Sequence, residues 1–131
     1  MHTAAMVAHT YRQTEVQSRS PLELVTLLYD GATQALAQAR SAIVDRNGDA
    51  KREAIAQALE VVCELQNVLN VEDGGEIAAS LDALYSFVNG RLIDANLQDD
   101  VNAIDEAARV LAPLREAWAQ LARSTAAGEA L

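Results

Sequence analysis

Residues 74–96 of the chain read GGEIAASLDALYSFVNGRLIDAN, and this stretch predicts the kind of fold the chain adopts. Two glycines come before a run in which apolar residues recur every three or four positions, which is the period of one face of an α-helix. The residues of this apolar face are Ile77, Leu81, Leu84, Tyr85, Val88, Leu92 and Ala95. We therefore expect an amphipathic helix over about residues 75–97, with the glycine pair in the loop before it.

Three other segments show the same helical period, and each begins with a residue that can cap a helix. Ser20 is followed by Pro21 and Glu23, which makes a capping box with proline at the first helical position. Asp49 and Asp99 are the corresponding caps expected for the second and fourth helices. The predicted helices cover about residues 21–45, 50–70, 75–97 and 100–123.

Four helices of similar length joined by short loops favour an all-α fold, an antiparallel up-down four-helix bundle. We expect this bundle to occupy residues 20–123, after a short mobile N-terminal arm or helix over residues 1–19. Residues 124–131 are expected to form a disordered C-terminal tail. Pro113 lies inside the last predicted helix, where it removes one backbone hydrogen bond and should kink the helix.

Charge and cysteine content restrict the functional classes. Nineteen acidic and ten basic residues give a net charge of −9, with Lys51 as the single lysine, so a nucleic-acid binder is not expected. Cys63 is the single cysteine, which excludes an intramolecular disulfide and is typical of a reducing compartment. No basic-then-apolar leader and no apolar run long enough to span a membrane is visible, so we expect a cytoplasmic (cytosolic) protein.

The residues that could carry catalysis are too few or too scattered to predict an enzyme. A di-metal site in a helical bundle needs histidines on the helices, but both histidines, His2 and His9, precede the first predicted helix. Gly74 and Gly75 have neither the further glycines nor the lysine of a phosphate-binding loop. We therefore expect no catalytic residues, no cofactor and no metal.

Surplus apolar surface favours a binding function instead. The last predicted helix has two adjacent apolar stripes, whereas one stripe is enough to pack a bundle. The stripes consist of Ile104, Ala108 and Leu111, and of Ala107, Val110, Leu114 and Leu121. The periodicity leaves open whether the second stripe meets a partner protein, the N-terminal arm or a second copy of the chain, so a homodimer is allowed.

Several blocks of the sequence resemble one protein family. The stretch from Gly74 to Leu97, with its opening glycine pair and its RLIDANL ending, is similar to the flagellar export chaperone family FliS. The SPLEL block at residues 20–24, which leads into LYDGA at residues 28–32, agrees with this family, as do Tyr11, Val16 and Trp118. The resemblance covers roughly residues 7–122 without a large gap.

The resemblance implies a function as well as a fold. A member of this family would bind the disordered C-terminal segment of flagellin, prevent premature polymerisation and deliver flagellin to the flagellar type III export gate. The implied partners are flagellin and an export gate protein, without nucleic acid or membrane insertion. The alternative is another small helical export chaperone or adaptor, for example one for the filament cap protein.

The resemblance also directs attention to two sets of residues. The first set is expected to line a flagellin-binding groove and consists of Leu24, Leu28, Tyr29, Val61, Val68, Leu69, Leu84, Phe87 and Val88. The second set is expected to form an N-terminal cap over the groove or a contact with the export gate, and consists of Val7, Tyr11 and Val16.

Overall fold

The computed structural model describes residues 21–69 and 71–130, with side chains described over residues 22–69 and 74–124. These residues form four helices and the turns between them, and no strand occurs among them. The helices are α1 (Pro21–Val44), α2 (Gly48–Asn67), α3 (Val71–Gln98) and α4 (Val101–Ala130). The all-α prediction of four helices is confirmed, whereas the predicted N-terminal arm over residues 1–19 lies outside the described residues.

Two ion pairs show the relative direction of the first and last helices. Arg40, late in α1, donates to Asp105, early in α4, over 3.0 Å. Arg115, ten residues after Asp105 in α4, donates to Asp30, ten residues before Arg40 in α1, over 2.8 Å. Because residues further along one helix meet residues earlier in the other, α1 and α4 run antiparallel.

Hydrogen bonds between α2 and α3 lead to the same conclusion for that pair. The Lys51 ammonium, near the start of α2, donates to the Asn96 carbonyl near the end of α3 over 2.9 Å. At the other end, the Gln66 amide donates to the Asp82 carboxylate over 3.1 Å. Each helix packs against two others, α1 and α3 both lying against α2 and α4, which gives a four-membered ring around one core.

The core is filled from one stripe of each helix. Its largest fully buried side chains are Tyr29, Ile55, Val62, Leu65, Tyr85, Val88, Leu92, Ile104 and Leu111. Buried alanines separate these large residues on every helix, including Ala32, Ala58, Ala95 and Ala107. Small side chains at contact positions allow helix backbones to approach closely while large residues interdigitate between them.

The start of α3 differs from the prediction. Residues 71–75 were expected to form a loop, but the helix begins at Val71 and is interrupted at Gly75, whose φ of 56° and ψ of −131° are not helical. Only glycine adopts such a backbone conformation without strain. Gly74 is also restricted, because a Cβ atom there would lie 2.6 Å from the Cβ of Ala78. The glycine pair therefore redirects the chain into the main part of α3.

Two of the predicted caps are wrong by one or two positions. Asn47, not Asp49, caps α2, since its side-chain oxygen accepts a hydrogen bond from the Ala50 amide over 3.1 Å. Asp100, not Asp99, accepts from the amides at the start of α4. Asp99 has a positive φ of 52° and its carboxylate binds Lys51 instead. The predicted Ser20 cap lies outside the described residues.

The last helix is longer than predicted. Its backbone is helical through Ala130, so α4 includes residues 124–130, for which a disordered tail was expected. Pro113 lies within this helix and its side chain faces solvent. Because proline has no amide hydrogen, α4 lacks the hydrogen bond that residue 113 would otherwise donate to the Arg109 carbonyl.

Candidate functional site

Five residues of the predicted groove lie in the interior of the bundle. Leu24, Leu28, Tyr29, Val61 and Val88 are all buried. Four of them belong to the core cluster, and Leu24 is buried outside it. A side chain enclosed between helices cannot line an open groove while the bundle is closed. We therefore replace the groove assignment of these five residues by a packing role.

The remaining groove residues stay accessible. Phe87 is 47% exposed, Leu84 and Val68 are also exposed, and Leu69 is partly buried against the core. Contact of these four residues with a partner remains a prediction. The three residues of the predicted N-terminal cap lie outside the described residues: Val7, Tyr11 and Val16.

An ion pair marks the register between α3 and α4. The Arg91 guanidinium on α3 donates to the Glu106 carboxylate on α4 over 2.9 Å. Because α3 and α4 pack together and only a short turn over residues 99–100 joins them, the chain reverses there, and residues progressively before Arg91 lie beside residues progressively after Glu106. Extrapolating from this ion pair, we infer that Phe87 lies near Val110 and that Leu84, about one helical turn further along, lies near Leu114.

Extending the register defines an apolar surface between the two helices. Ile77, which is 76% exposed, lies in the same row of α3 as Leu84, and its counterpart on α4 is the exposed Leu121. We call this surface the apolar strip; its members are Ile77, Leu84, Phe87, Val110, Leu114 and Leu121. From Ile77 to Phe87 the strip extends about 15 Å along α3, at 1.5 Å per residue. It therefore matches about three turns of a bound helix.

The sequence prediction missed part of this strip. Ile77 was assigned to the core face of its helix, yet it is among the most exposed large apolar residues of the described chain. Leu114 and Leu121 belong to the second apolar stripe noted on the last helix, whose partner was left open. That surplus stripe was the available signal, because a bundle helix needs only one apolar face.

A cluster of charges ends the strip on one side. Arg91 is within ion-pair distance of three carboxylates, those of Asp94 at 2.9 Å, Asp100 at 3.7 Å and Glu106 at 2.9 Å. One guanidinium against three carboxylates leaves this end of the strip negatively charged. An apolar segment lying along the strip must end or turn away here, since burying these charges would be costly.

Beneath the strip, three aromatic side chains connect three helices. The hydroxyls of Tyr29 on α1 and Tyr85 on α3 share a hydrogen bond, and their ring centroids are 6.3 Å apart. Burial raises the pKa of both hydroxyls, and Trp118 on α4 lowers it in part by hydrogen bonding. Both phenols therefore stay neutral near pH 7, where they stabilise the core and provide no base or nucleophile.

The described helices have neither a metal-binding cluster nor a membrane-spanning segment. Among the side chains of residues 22–69 and 74–124, no group of three or more His, Cys, Asp or Glu residues is arranged so that it could hold a metal ion. Within the part of the chain that the structure describes, no helix is long and apolar enough to cross a membrane.

Comparison with known proteins shows the family. The family model for the flagellar protein FliS matches residues 3–125. The flagellar secretion chaperone FliS of Salmonella typhimurium is 38% identical over 125 residues, covering 92% of this chain and 93% of that protein.

Relatives from other bacteria agree with this match. The FliS chaperone of Vibrio cholerae is 32% identical over 115 residues, which cover 85% of each chain. The FliS chaperone of Bacillus subtilis is 31% identical over 114 residues, which cover 87% of this chain and 84% of that protein. FliS proteins are chaperones and not enzymes, and by these matches the chain belongs to the FliS family of flagellar secretion chaperones.

Proposed function

We propose that this chaperone acts in the cytosol, binds the disordered C-terminal segment of flagellin and delivers flagellin to the flagellar type III export gate. The apolar strip is the observation that supports a segment-binding role most directly. It is long and narrow, which suits one helical segment of a partner better than a folded domain. The relatives' description as flagellar secretion chaperones supports a flagellar substrate.

The energetics of the strip indicate how much of the partner must bind. Burying a large apolar side chain completely contributes about 1.5–3 kcal/mol, so each half-exposed residue contributes about 1 kcal/mol. The four exposed members, Ile77, Leu84, Phe87 and Leu121, thus contribute about 4–5 kcal/mol. Ordering a disordered segment costs roughly 2–5 kcal/mol, which cancels most of this gain.

A partner segment must therefore continue beyond the strip to bind tightly. Val68 and Leu69 follow the last residue of α2, in the turn that leads to α3, at the same end of the bundle as Ile77. Val68 is exposed and Leu69 is only partly buried, so they offer a second apolar contact. We propose that the flagellin segment lies along the strip and then crosses this end of the bundle toward α2.

Binding distributed over several weak contacts also suits release. No single contact holds the segment, so the export gate can displace it stepwise without nucleotide hydrolysis. Val7, Tyr11 and Val16 precede the described helices, and we propose that they contact the gate or compete with flagellin for the groove. Competition would lower the apparent affinity for flagellin in proportion to the fraction of covered groove.

Matched surface variants test the strip. Phe87→Asp introduces a charge into the strip and should weaken binding of a flagellin C-terminal peptide by tenfold or more, since desolvating an unpaired carboxylate is costly. Ile93→Asp is the control, because Ile93 is on the same helix and 49% exposed, yet lies about 120° away around the axis. Isothermal titration calorimetry with full-length and C-terminally truncated flagellin measures both effects.

Comparison of the two variants distinguishes binding at the apolar strip from non-specific binding to exposed apolar residues. Equal losses for Phe87→Asp and Ile93→Asp would contradict a role for the strip. Undiminished binding of C-terminally truncated flagellin would contradict the proposed partner segment. Far-UV circular dichroism of both variants establishes that each retains the helical content of the parent protein.

A further inference from the structure

A cavity at one end of the bundle lies apart from the apolar strip. It is formed where the turn between α1 and α2 meets the turn between α3 and α4, and its volume is about 630 Å³. Ligand pockets of proteins commonly fall between about 300 and 1,000 Å³, so this cavity is large enough for a small molecule. None of its lining residues belongs to the apolar strip.

The lining of the cavity is basic, although the protein as a whole is acidic. Arg46, Lys51 and Arg52 line it together with one carboxylate, that of Asp99. The whole chain has ten basic and nineteen acidic residues, so three cations against one acid is the reverse of its overall balance. Asp49, which pairs with Arg52, is almost fully exposed and does not line the cavity.

The Lys51 ammonium is held by two hydrogen bonds and keeps one N–H donor for a ligand. It is the one charged residue that is buried among the described residues. Its ammonium donates to the Asn96 carbonyl over 2.9 Å and to the Asp99 carboxylate over 2.5 Å. An ammonium group has three N–H donors, so one remains after these two bonds. The two bonds therefore hold a rigid cation at the cavity wall.

Arg46 enters the cavity from an unusual backbone position. Its φ is 57°, and its amide bonds the Ile43 carbonyl while the next amide bonds the Ala42 carbonyl. This pattern is the Schellman ending of a helix, in which glycine is the favoured residue. Within the described residues its guanidinium forms no ion pair. Arg46 thus places an uncompensated charge at the cavity from a position where glycine would be less strained.

From these contacts we propose that the cavity binds a small phosphate-bearing ligand. Guanidinium groups match phosphate oxygens with paired hydrogen bonds, and a lysine ammonium adds a compact positive charge. Arg46 and Arg52 form the exposed wall of the site and the buried Lys51 forms its inner wall. The volume exceeds that of a single phosphate ion, so a nucleotide-sized molecule also fits.

Calorimetric titration of the full chain tests this site with inorganic phosphate, pyrophosphate and adenosine triphosphate at constant ionic strength. Arg46→Gly removes one guanidinium and suits the left-handed backbone, so it should fold well and weaken binding about tenfold. The double variant Arg46→Gly/Arg52→Gln should abolish detectable binding. Arg123→Gln is the control, because Arg123 is an exposed guanidinium on α4 outside the cavity.

Each outcome of the titrations decides for or against the site. Saturable binding that weakens in the Arg46 and Arg52 variants but not in Arg123→Gln supports it. Binding that is equal for pyrophosphate and adenosine triphosphate, or tighter for the triphosphate, supports a site that recognises phosphate groups. Absence of saturable binding by all three probes overturns the proposal. Wild-type affinity in the double variant, or an equal loss in Arg123→Gln, also overturns it.

Discussion

Truncation of Leu28 distinguishes a core residue from a groove residue. The sequence placed Leu28 in the flagellin-binding groove, whereas the structure leaves 3% of its surface exposed within the core cluster. Replacing a buried leucine with alanine costs about 2–5 kcal/mol, from lost transfer free energy and the remaining cavity. Phe87→Ala removes a side chain that is 47% exposed, so its cost in the unbound protein should be about 1 kcal/mol.

These free energies translate into different melting temperatures. For a chain of this size each 1 kcal/mol corresponds to roughly 3–5 °C, so Leu28→Ala should lower the Tm by about 6–25 °C. Phe87→Ala should lower it by a few degrees and weaken flagellin binding, typically by about 1–3 kcal/mol for an interface aromatic. Thermal unfolding followed by circular dichroism gives the Tm, and calorimetry below both transitions gives affinity. An unchanged Tm for Leu28→Ala together with lost binding would refute the core assignment.

Three further changes test the backbone and the buried hydroxyls. Gly75→Ala should lower the free energy of unfolding by at least about 1–2 kcal/mol in urea titrations, because a φ of 56° is strained for any residue with a Cβ atom. An unchanged free energy of unfolding would mean that the backbone at residue 75 can adopt another conformation without cost. Pro113→Ala should raise the Tm, with a gain of up to about 3 kcal/mol, since it restores a backbone hydrogen bond in α4. An unchanged or lower Tm would contradict the idea that the proline destabilises this helix. Burial raises the pKa of Tyr85, so near pH 10 the phenol ionises in the unfolded chain but stays neutral in the folded protein. Ionisation therefore favours the unfolded chain, and the free energy of unfolding decreases as the pH rises above about 10. Tyr85→Phe should therefore flatten the loss of stability between about pH 10 and 11 in unfolding curves, and an identical pH dependence would contradict this assignment.

The helices could be predicted from the sequence because the apolar period that marks a helix is local and repeats over several turns. Each helix has an apolar residue every three or four positions over many turns, and glycine, asparagine or aspartate marks most ends. The caps were less predictable, since Asp99 and Asp100 have the same capping chemistry. The backbone decides between them: Asp99 adopts a positive φ and turns its carboxylate to Lys51, which leaves Asp100 at the helix start.

Separating the core from the binding surface required information that no single helix contains. Phe87 and Val88 are adjacent apolar residues about 100° apart on the helix, and the family resemblance led us to expect both in the groove. The structure buries Val88 completely and exposes Phe87, because Tyr85, Val88 and Leu92 pack into the core and so set the rotation of α3. The Arg91–Glu106 pair shows which face of α3 lies beside α4. The same rotation brings Phe87 beside the surplus stripe of α4, so two faces that are each ambiguous alone become one continuous apolar surface. A surplus stripe therefore locates a binding surface only when the contacts that orient its neighbouring helix are known.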